Sequence, residues 1–343
     1  MAQKRKIELE LEYSNYIQTP PVTPQQMYGN ACSSDGTTVN SWRDVWIRNI
    51  QENHKRFGSF VKHGMSPLFD TNRLKPAIIV GSGPSLGYNG HLLKDRAGIT
   101  TLSCLHNYHF FEDRGIDIDY YVTLDAGPVV IEEVYEGGTK TPEEYWASTK
   151  GKKLCAFIGT DPKFFDLWQG EVFLFNAPIP DPAVVQAQEA LEIFNQVVSN
   201  GGNVLGACLY IAKAVLGSPT VAFVGADFSF GYNVGKGHKF HAWDSKYDAK
   251  LGNVIRGFDV FGNKVLTWPS YFNFKNFFDW VALTIPGTYV NCTEGGMFGA
   301  FAEGNIMAVQ QMPLEAFIKM HTHHEFVREI FTNPDNRDRK LLY

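Results

Sequence analysis

The sequence predicts an α/β fold, a mainly parallel sheet with helices on both faces. Two observations predict it. Short apolar, β-branched runs recur along the chain with helical stretches between them. Those runs show little of the in-out alternation, and few of the short gaps, that an antiparallel sandwich would carry.

The elements follow in order. Residues 1–40 are polar, rich in Pro and Gly between Thr19 and Asp35, and read as an N-terminal arm. Residues 41–75 form a helical lead-in, with Ser41 as cap and Trp42, Val45, Trp46, Ile50 and Phe57 as an imperfect apolar stripe. The core, residues 76–311, opens with Pro76-Ala-Ile-Ile-Val-Gly81, an apolar strand ending in glycine. Ile99–Cys104, Tyr120–Leu124, Lys153–Ile158 and Val172–Phe175 read as further strands. Thr141-Pro142-Glu143-Glu144 carries a helix start, with cap, proline at the first helical position and glutamate three after the cap. Asp181-Pro182 starts a helix that runs towards Val198. Val204, Ala207, Cys208, Ile211, Ala212 and Val215 share one helical face, and Thr220-Val-Ala-Phe-Val-Gly225 reads as a central strand. Residues 312–343 form a histidine-rich helical tail, helical from Met312 to Phe331.

Composition narrows the class of protein. The chain is 44 % hydrophobic and 20 % charged, which suits a folded globular protein. Its 31 basic and 36 acidic residues give a net charge of −5, so no extended nucleic-acid footprint is expected. A local pocket for an anionic nucleotide remains open to it. Cys32, Cys104, Cys155, Cys208 and Cys292 form no close metal-type pair and are odd in number, so reduced, mostly buried thiols are expected. The apolar run Ile7–Leu11 is too short and acidic for a signal-peptide core, and no run of 18 apolar residues is present. The expectation is a cytoplasmic protein without a membrane span; oligomerisation is left open.

Four constellations carry chemistry. Gly81-Ser82-Gly83-Pro84-Ser85-Leu86 follows a strand directly, so its amides and the next helix start are placed to meet a phosphate. Neither a dinucleotide fingerprint nor a Walker loop is present, and a plain strand-to-helix turn would use the same residues. Asp125 follows the Tyr120–Leu124 strand at its carboxyl end, where parallel sheets bind ligands. It would hold a ribose hydroxyl, a magnesium ion or an acceptor, or simply cap its loop. Asp227, in Gly225-Ala-Asp-Phe228, sits at another strand end and is followed by His238-Lys-Phe-His241. Either histidine would serve as proton acceptor or phosphate donor, because imidazole titrates near neutrality. His238, His241 and Asp244 also have helical spacing for a metal, or are surface residues. Asn291-Cys-Thr293-Glu294-Gly-Gly296 follows another apolar strand and reads as a closing wall.

In this order, the pieces resemble the hydroxymethylpterin-pyrophosphokinase-like family, which also contains the central domain of motility-associated flagellin glycosyltransferases. They are Ala77–Leu86, Asp119–Asp125, Gly201-Gly-Asn-Val204 with Val224–Phe228, His238 with His241, and Asn291–Gly296, and the likeness spans roughly residues 42–325. Parts also resemble small bacterial sialyltransferases that use cytidine nucleotides, through the GxGPSL strand end and the Cys104–Asp113 stretch. The resemblance implies a Rossmann-like domain using a nucleotide-activated donor as substrate, with no tightly bound cofactor. It implies nucleotide near Gly83, Ser85 and Asn107 and a later histidine, His238 or His241, as base. Their places after strands add Gly81, Asp125, Thr293 and Glu294 to the expected nucleotide site and Asp227 to the expected catalytic group.

The leading expectation is glycosyl transfer from a nucleotide sugar, such as a cytidine-nucleotide nonulosonic acid, to a small-molecule, glycan or protein acceptor. The alternative is magnesium-dependent pyrophosphoryl transfer, with Asp125 and Asp227 as metal ligands. A third reading is a non-catalytic binding or assembly module that keeps the fold.

Overall fold

The computed structural model describes residues 35–58, 60–179, 181–189, 196–230, 255–301 and 304–322. Helix α1 (Asp35–Phe57) precedes the sheet. The strands are β1 (Ala77–Val80), β2 (Thr100–Cys104), β3 (Tyr120–Thr123), β4 (Lys153–Phe157), β5 (Glu171–Phe175) and β6 (Thr220–Val224), followed by β7 (Ile255–Phe258), β8 (Lys264–Thr267), β9 (Thr288–Asn291) and β10 (Val309–Gln311). Eight of them form one sheet in the order β10-β9-β6-β1-β2-β3-β4-β5, and every neighbouring pair is parallel. The fold is Rossmann-like, as the sequence predicts.

The apolar runs explain the layering. All four side chains of β1 are fully buried, as are Val221–Val224 of β6, so both faces of the sheet centre are covered. Besides several short ones, the helices after α1 include α2 (Val129–Glu133), α3 (Pro142–Ser148), α4 (Pro182–Glu189), α5 (Val204–Tyr210) and α6 (Pro269–Thr284). The predicted capping box at α3 forms: Thr141 Oγ1 accepts from Glu144 N at 3.3 Å, and Glu144 Oε2 accepts from Thr141 N at 2.8 Å. Helix α5 lies over β1, β2 and β3 and widens into a π turn at Ile211–Val215. Of its predicted face Ala207, Cys208, Ile211 and Ala212 are buried and Val204 and Val215 half-buried, but Leu205, Gly206 and Leu209 are buried too, so the helix is enclosed on more than one side.

Three boundaries differ from the sequence reading. Helix α1 begins at Asp35 and Ser41 lies inside it, because buried Val39 extends the Trp42–Trp46 side of the helix by one turn. The described part of α4 ends at Glu189, and Val197 is in a parallel bridge with Asn176 rather than in a helix. The antiparallel pair β7–β8 forms a separate two-stranded sheet that the sequence reading did not contain. The tail is helical over residues 314–322; residues 323–343, and arm residues 1–34, lie outside the described residues.

Helix α1 is held both by apolar side chains, among them buried Val39 and Ile50, and by polar anchors. Asn49 Nδ2 donates to Ala126 O (2.9 Å) and Gly159 O (3.0 Å), and Asn53 Nδ2 donates to Ile158 O and Thr160 O, both at 2.7 Å. Both asparagines are completely buried and stand one helical turn apart. They satisfy carbonyls of the loops after β3 and β4 that would otherwise be buried without donors. Arg43 adds an ion pair to Asp181 at 2.6 Å.

Candidate functional site

The chain reverses direction across the sheet between β1 and β6: β2 to β5 lie on one side of β1, while β6, β9 and β10 lie on the other. In open parallel sheets the crevice at such a reversal is where ligands bind, outside the carboxyl ends of the strands. A cavity of about 670 Å³ opens there. Its floor comes from strand ends: Gly81–Gly83 after β1, Cys104–His106 at β2, Thr123–Asp125 at β3 and Gly225–Phe228 after β6. Trp42 and Trp46 of α1 and Tyr271 and Phe274 of α6 supply aromatic wall.

The structure therefore brings Gly81, Gly83, Asp125 and Asp227 to one cavity. It explains the glycines differently from a phosphate cradle. The Gly81 amide donates to Val224 O and the Gly83 amide to Gly225 O, each at 2.8 Å. A Cβ on Gly83 would stand 1.9 Å from Asp227 Oδ2, and one on Gly81 would stand 2.5 Å from Gly225 O. The glycines let two strand-end loops close on each other, and their amides are already committed. Ser85 donates its hydroxyl to Asp227 Oδ2 at 2.6 Å, with its amide at 3.4 Å, so it too faces the partner loop.

Amides without a partner carbonyl inside their own helix occur instead at the start of α5. Asn203 caps that helix by accepting from Gly206 N at 2.9 Å. Val204 and Leu205, whose amides have no carbonyl four residues back within the helix, line the cavity beside Asn200 and Gly202. The Gly201-Gly-Asn-Val204 stretch had entered the sequence reading only through family resemblance.

Across the floor lies an acidic cluster. Asp125 hydrogen-bonds with the carboxyl of Glu133 on α2, and Glu133 Oε1 is 3.5 Å from His106 Nδ1. Burial, then the Glu133 charge and hydrogen bond, push Asp125 up to about 7, with His106 opposing. Burial also raises Glu133 to about 7, against its bond with Asp125. Asp227 reaches about 7 by burial alone, opposed by the Ser85 hydrogen bonds. The sequence reading missed Glu133 and His106. Glu133 sits in an ordinary-looking acidic helix, and only the approach of α2 to the end of β3 shows its use.

Other predicted residues serve as struts. Asn107 is fully buried and donates to Gly81 O (3.2 Å) and Ser103 Oγ (3.1 Å), beneath the glycine turn rather than in the cavity lining. Thr293 Oγ1 accepts from Ala226 N at 3.1 Å, and Glu294 Oε1 accepts from Asn89 Nδ2 at 3.2 Å and Leu314 N at 3.1 Å. Both tie loops together outside the cavity lining. His238, His241 and Asp244 lie outside the described residues. Cys104, Cys155, Cys208 and Cys292 are buried free thiols, while Cys32 lies outside the described residues.

Among the described residues, no group of three or more His, Cys, Asp or Glu side chains is placed to hold a metal ion. The Asp125–Glu133 pair nonetheless offers what a magnesium ion takes from protein: one or two hard carboxylates, the rest of its shell coming from water and substrate phosphate. Their mutual repulsion when charged is what a cation would relieve. Asp227 Oδ2 is bonded to Ser85 instead.

Residues 47–233 match the family described as 6-hydroxymethylpterin diphosphokinase MptE-like. The chain belongs to this MptE-like family. No curated protein matches it. Among solved structures it is similar to the MAf glycosyltransferase from Magnetospirillum magneticum AMB-1, with 15 % identity and a TM-score of 0.54. That match covers 87 % of this chain but 44 % of the other, so this chain spans less than half of the glycosyltransferase's length. At that identity the likeness is one of fold. Fold and family together are those of a transferase or kinase type of enzyme, and no described helix is long and apolar enough to cross a membrane.

Proposed function

We propose that this MptE-like chain transfers a diphosphoryl group from a nucleoside triphosphate to an alcohol. The observation that carries the reading is the half-buried Asp125–Glu133 pair on the floor of a cavity that also receives the start of α5. Glycosyl transfer, the expectation favoured by the sequence alone, thereby yields to its alternative, because the family match points to a diphosphokinase and the glycosyltransferase likeness reaches only the fold.

In this reading the alcohol oxygen attacks the β-phosphorus, the bond from β-phosphorus to the α-bridging oxygen breaks, and nucleoside monophosphate leaves. The alcohol's proton passes to a base. Magnesium, held by Asp125 and Glu133, would neutralise phosphate charge. The Val204 and Leu205 amides bind phosphate oxygen, aided by the positive end of α5. The aromatic wall of Trp42, Trp46, Tyr271 and Phe274 stacks on a planar ring. Enclosure in a deep cavity strengthens each of these interactions by excluding bulk water.

The test supplies a panel of nucleoside triphosphates with magnesium and candidate alcohols, pterin-type and sugar, and follows products by phosphorus NMR. Nucleoside monophosphate together with an alcohol diphosphate is expected. Transfer from nucleotide sugars with no reaction of triphosphates would restore the glycosyltransferase reading instead.

A further inference from the structure

We propose that Asp227 accepts the proton of the incoming alcohol and that Ser85 is a positioning residue which fixes the Asp227 carboxylate for that step. This assignment rests on the diphosphoryl-transfer reading and adds to it the base and the residue behind the base.

The geometry comes from both sides of the switch point. Asp227 follows β6 and lines the cavity, with its Oδ2 held by the Ser85 hydroxyl at 2.6 Å and amide at 3.4 Å. The absence of a side chain at Gly83 makes room for that oxygen. The backbone is pinned as well: Asp227 O accepts from Met297 N at 2.8 Å, and a Cβ on Gly296 would stand 2.6 Å from the Asp227 Cα. Thr293 holds the preceding amide, that of Ala226. Phe228 follows with φ of +52°, a left-handed conformation that non-glycine residues seldom adopt and that the surrounding contacts must enforce. One oxygen is thus held by Ser85, the backbone is pinned, and Asp227 lines the cavity in which a substrate hydroxyl would bind. A carboxylate restrained in this way is positioned as a preorganised catalytic group must be.

The surroundings fit a base that works near neutrality. The elements packed against Asp227 are the glycine turn, the Gly225-Ala226 turn and the loop at residues 293–297. Among their described residues the titratable group is Glu294, whose carboxyl is bonded to Asn89 and Leu314. Asp125, Glu133 and His106 belong to the separate cluster at β2, β3 and α2. Burial raises Asp227 to about 7, and Ser85 stabilises the charged form against it. A general base is most effective with its pKa near the working pH.

The experiment follows release of nucleoside monophosphate from magnesium-ATP, with water and then alcohols as acceptor, across pH 5.5–9. Wild type, Asp227→Asn and Ser85→Ala are compared, and magnesium-ATP affinity is measured for each by calorimetry. Asp227→Asn should keep its Kd within about threefold and lose turnover by about 10²- to 10⁴-fold. Ser85→Ala should keep its Kd, and the acidic limb of its kcat profile should move up by about one pH unit, because a hydrogen bond to the charged form is removed. Should Asp227→Asn fail to fold, the Ser85→Ala limb decides alone, since a purely structural serine would lower Tm without moving it. Near-wild-type turnover in Asp227→Asn, or an unmoved limb in Ser85→Ala, overturns the assignment while leaving diphosphoryl transfer standing. A folded wild type that binds magnesium-ATP and releases no monophosphate with any acceptor sinks the functional reading and this assignment with it.

Discussion

The carboxyl of Asp125, at the end of β3, is hydrogen-bonded to that of Glu133 on the helix that follows. Two half-buried acids in contact cannot both be charged cheaply, so one proton stays with the pair near neutral pH. Both groups have folded-state pKa values raised from the carboxylate range to about 7. The folded chain therefore binds more protons than the unfolded one between about pH 4 and pH 7. Stability from this pair is fully present below the unfolded value and is lost as pH rises through the folded value. Without magnesium, the melting temperature should fall across that window; Asp125→Asn should flatten the fall.

Magnesium should oppose the same trend. A cation binds the deprotonated pair, so its stabilisation should grow as pH rises through about 7 and exceed, at pH 8, that seen at pH 6. Thermal melts with and without magnesium check this, with Glu133→Gln as control. Equal shifts at both pH values, or shifts surviving in Glu133→Gln, would place any magnesium elsewhere.

Asn53 predicts a stability effect that hydrophobicity would not. Its Nδ2 serves two buried carbonyls, Ile158 O and Thr160 O. Asn53→Ala leaves both without that donor, and each such loss costs about 1–3 kcal/mol. A drop of at least about 2 kcal/mol in urea unfolding is expected. Arg43→Ala, whose side chain is 45 % exposed, should cost about 1 kcal/mol or less.

The sheet was legible because buried parallel strands write themselves as apolar runs: β1 to β6 fall inside or within a residue of the predicted segments. The cavity floor was partly legible, since Gly83, Asp125 and Asp227 all follow such runs. The remainder depends on tertiary approach. The Gly81 and Gly83 amides are consumed by carbonyls at the end of β6 and just after it, Val224 O and Gly225 O, a pairing across the chain that a local motif cannot reveal. Asn49 and Asn53 look like polar interruptions of an amphipathic helix, yet they are its anchors. Glu133 became visible only when α2 was seen folded back on Asp125.

Gly83→Ala tests the loop contact. The new Cβ meets Asp227 Oδ2 at 1.9 Å, so the carboxylate must move or the loops must part. Overpacking of this kind costs about 1–3 kcal/mol. Turnover should fall further than in Ser85→Ala, because the aspartate is displaced rather than merely released. A Gly83→Ala protein with native stability and rate would show that Asp227 is free to reorient.

The aromatic wall yields the last prediction. Trp42, Trp46, Tyr271 and Phe274 line the cavity, and Trp42, Tyr271 and Phe274 lie outside the stretch 47–233 that matches the family, as does Trp46 by one residue. The ring-binding surface is thus supplied by α1 and α6, which flank the matched core rather than belong to its strands. Both tryptophans are half-buried, leaving indole surface open to a ligand. Stacking of a base on an aromatic side chain contributes about 1–3 kcal/mol by alanine substitution. Trp46→Ala should accordingly weaken nucleotide binding by roughly 5- to 150-fold at unchanged magnesium dependence. Tryptophan fluorescence offers the direct measurement: nucleotide should quench wild type, and Trp42→Phe and Trp46→Phe should each remove part of the quench. Inorganic triphosphate, which has no ring, should bind without quenching and with equal affinity in wild type and Trp46→Ala. If triphosphate binding also weakened in Trp46→Ala, the tryptophan would be supporting the cavity's shape instead of contacting the ring.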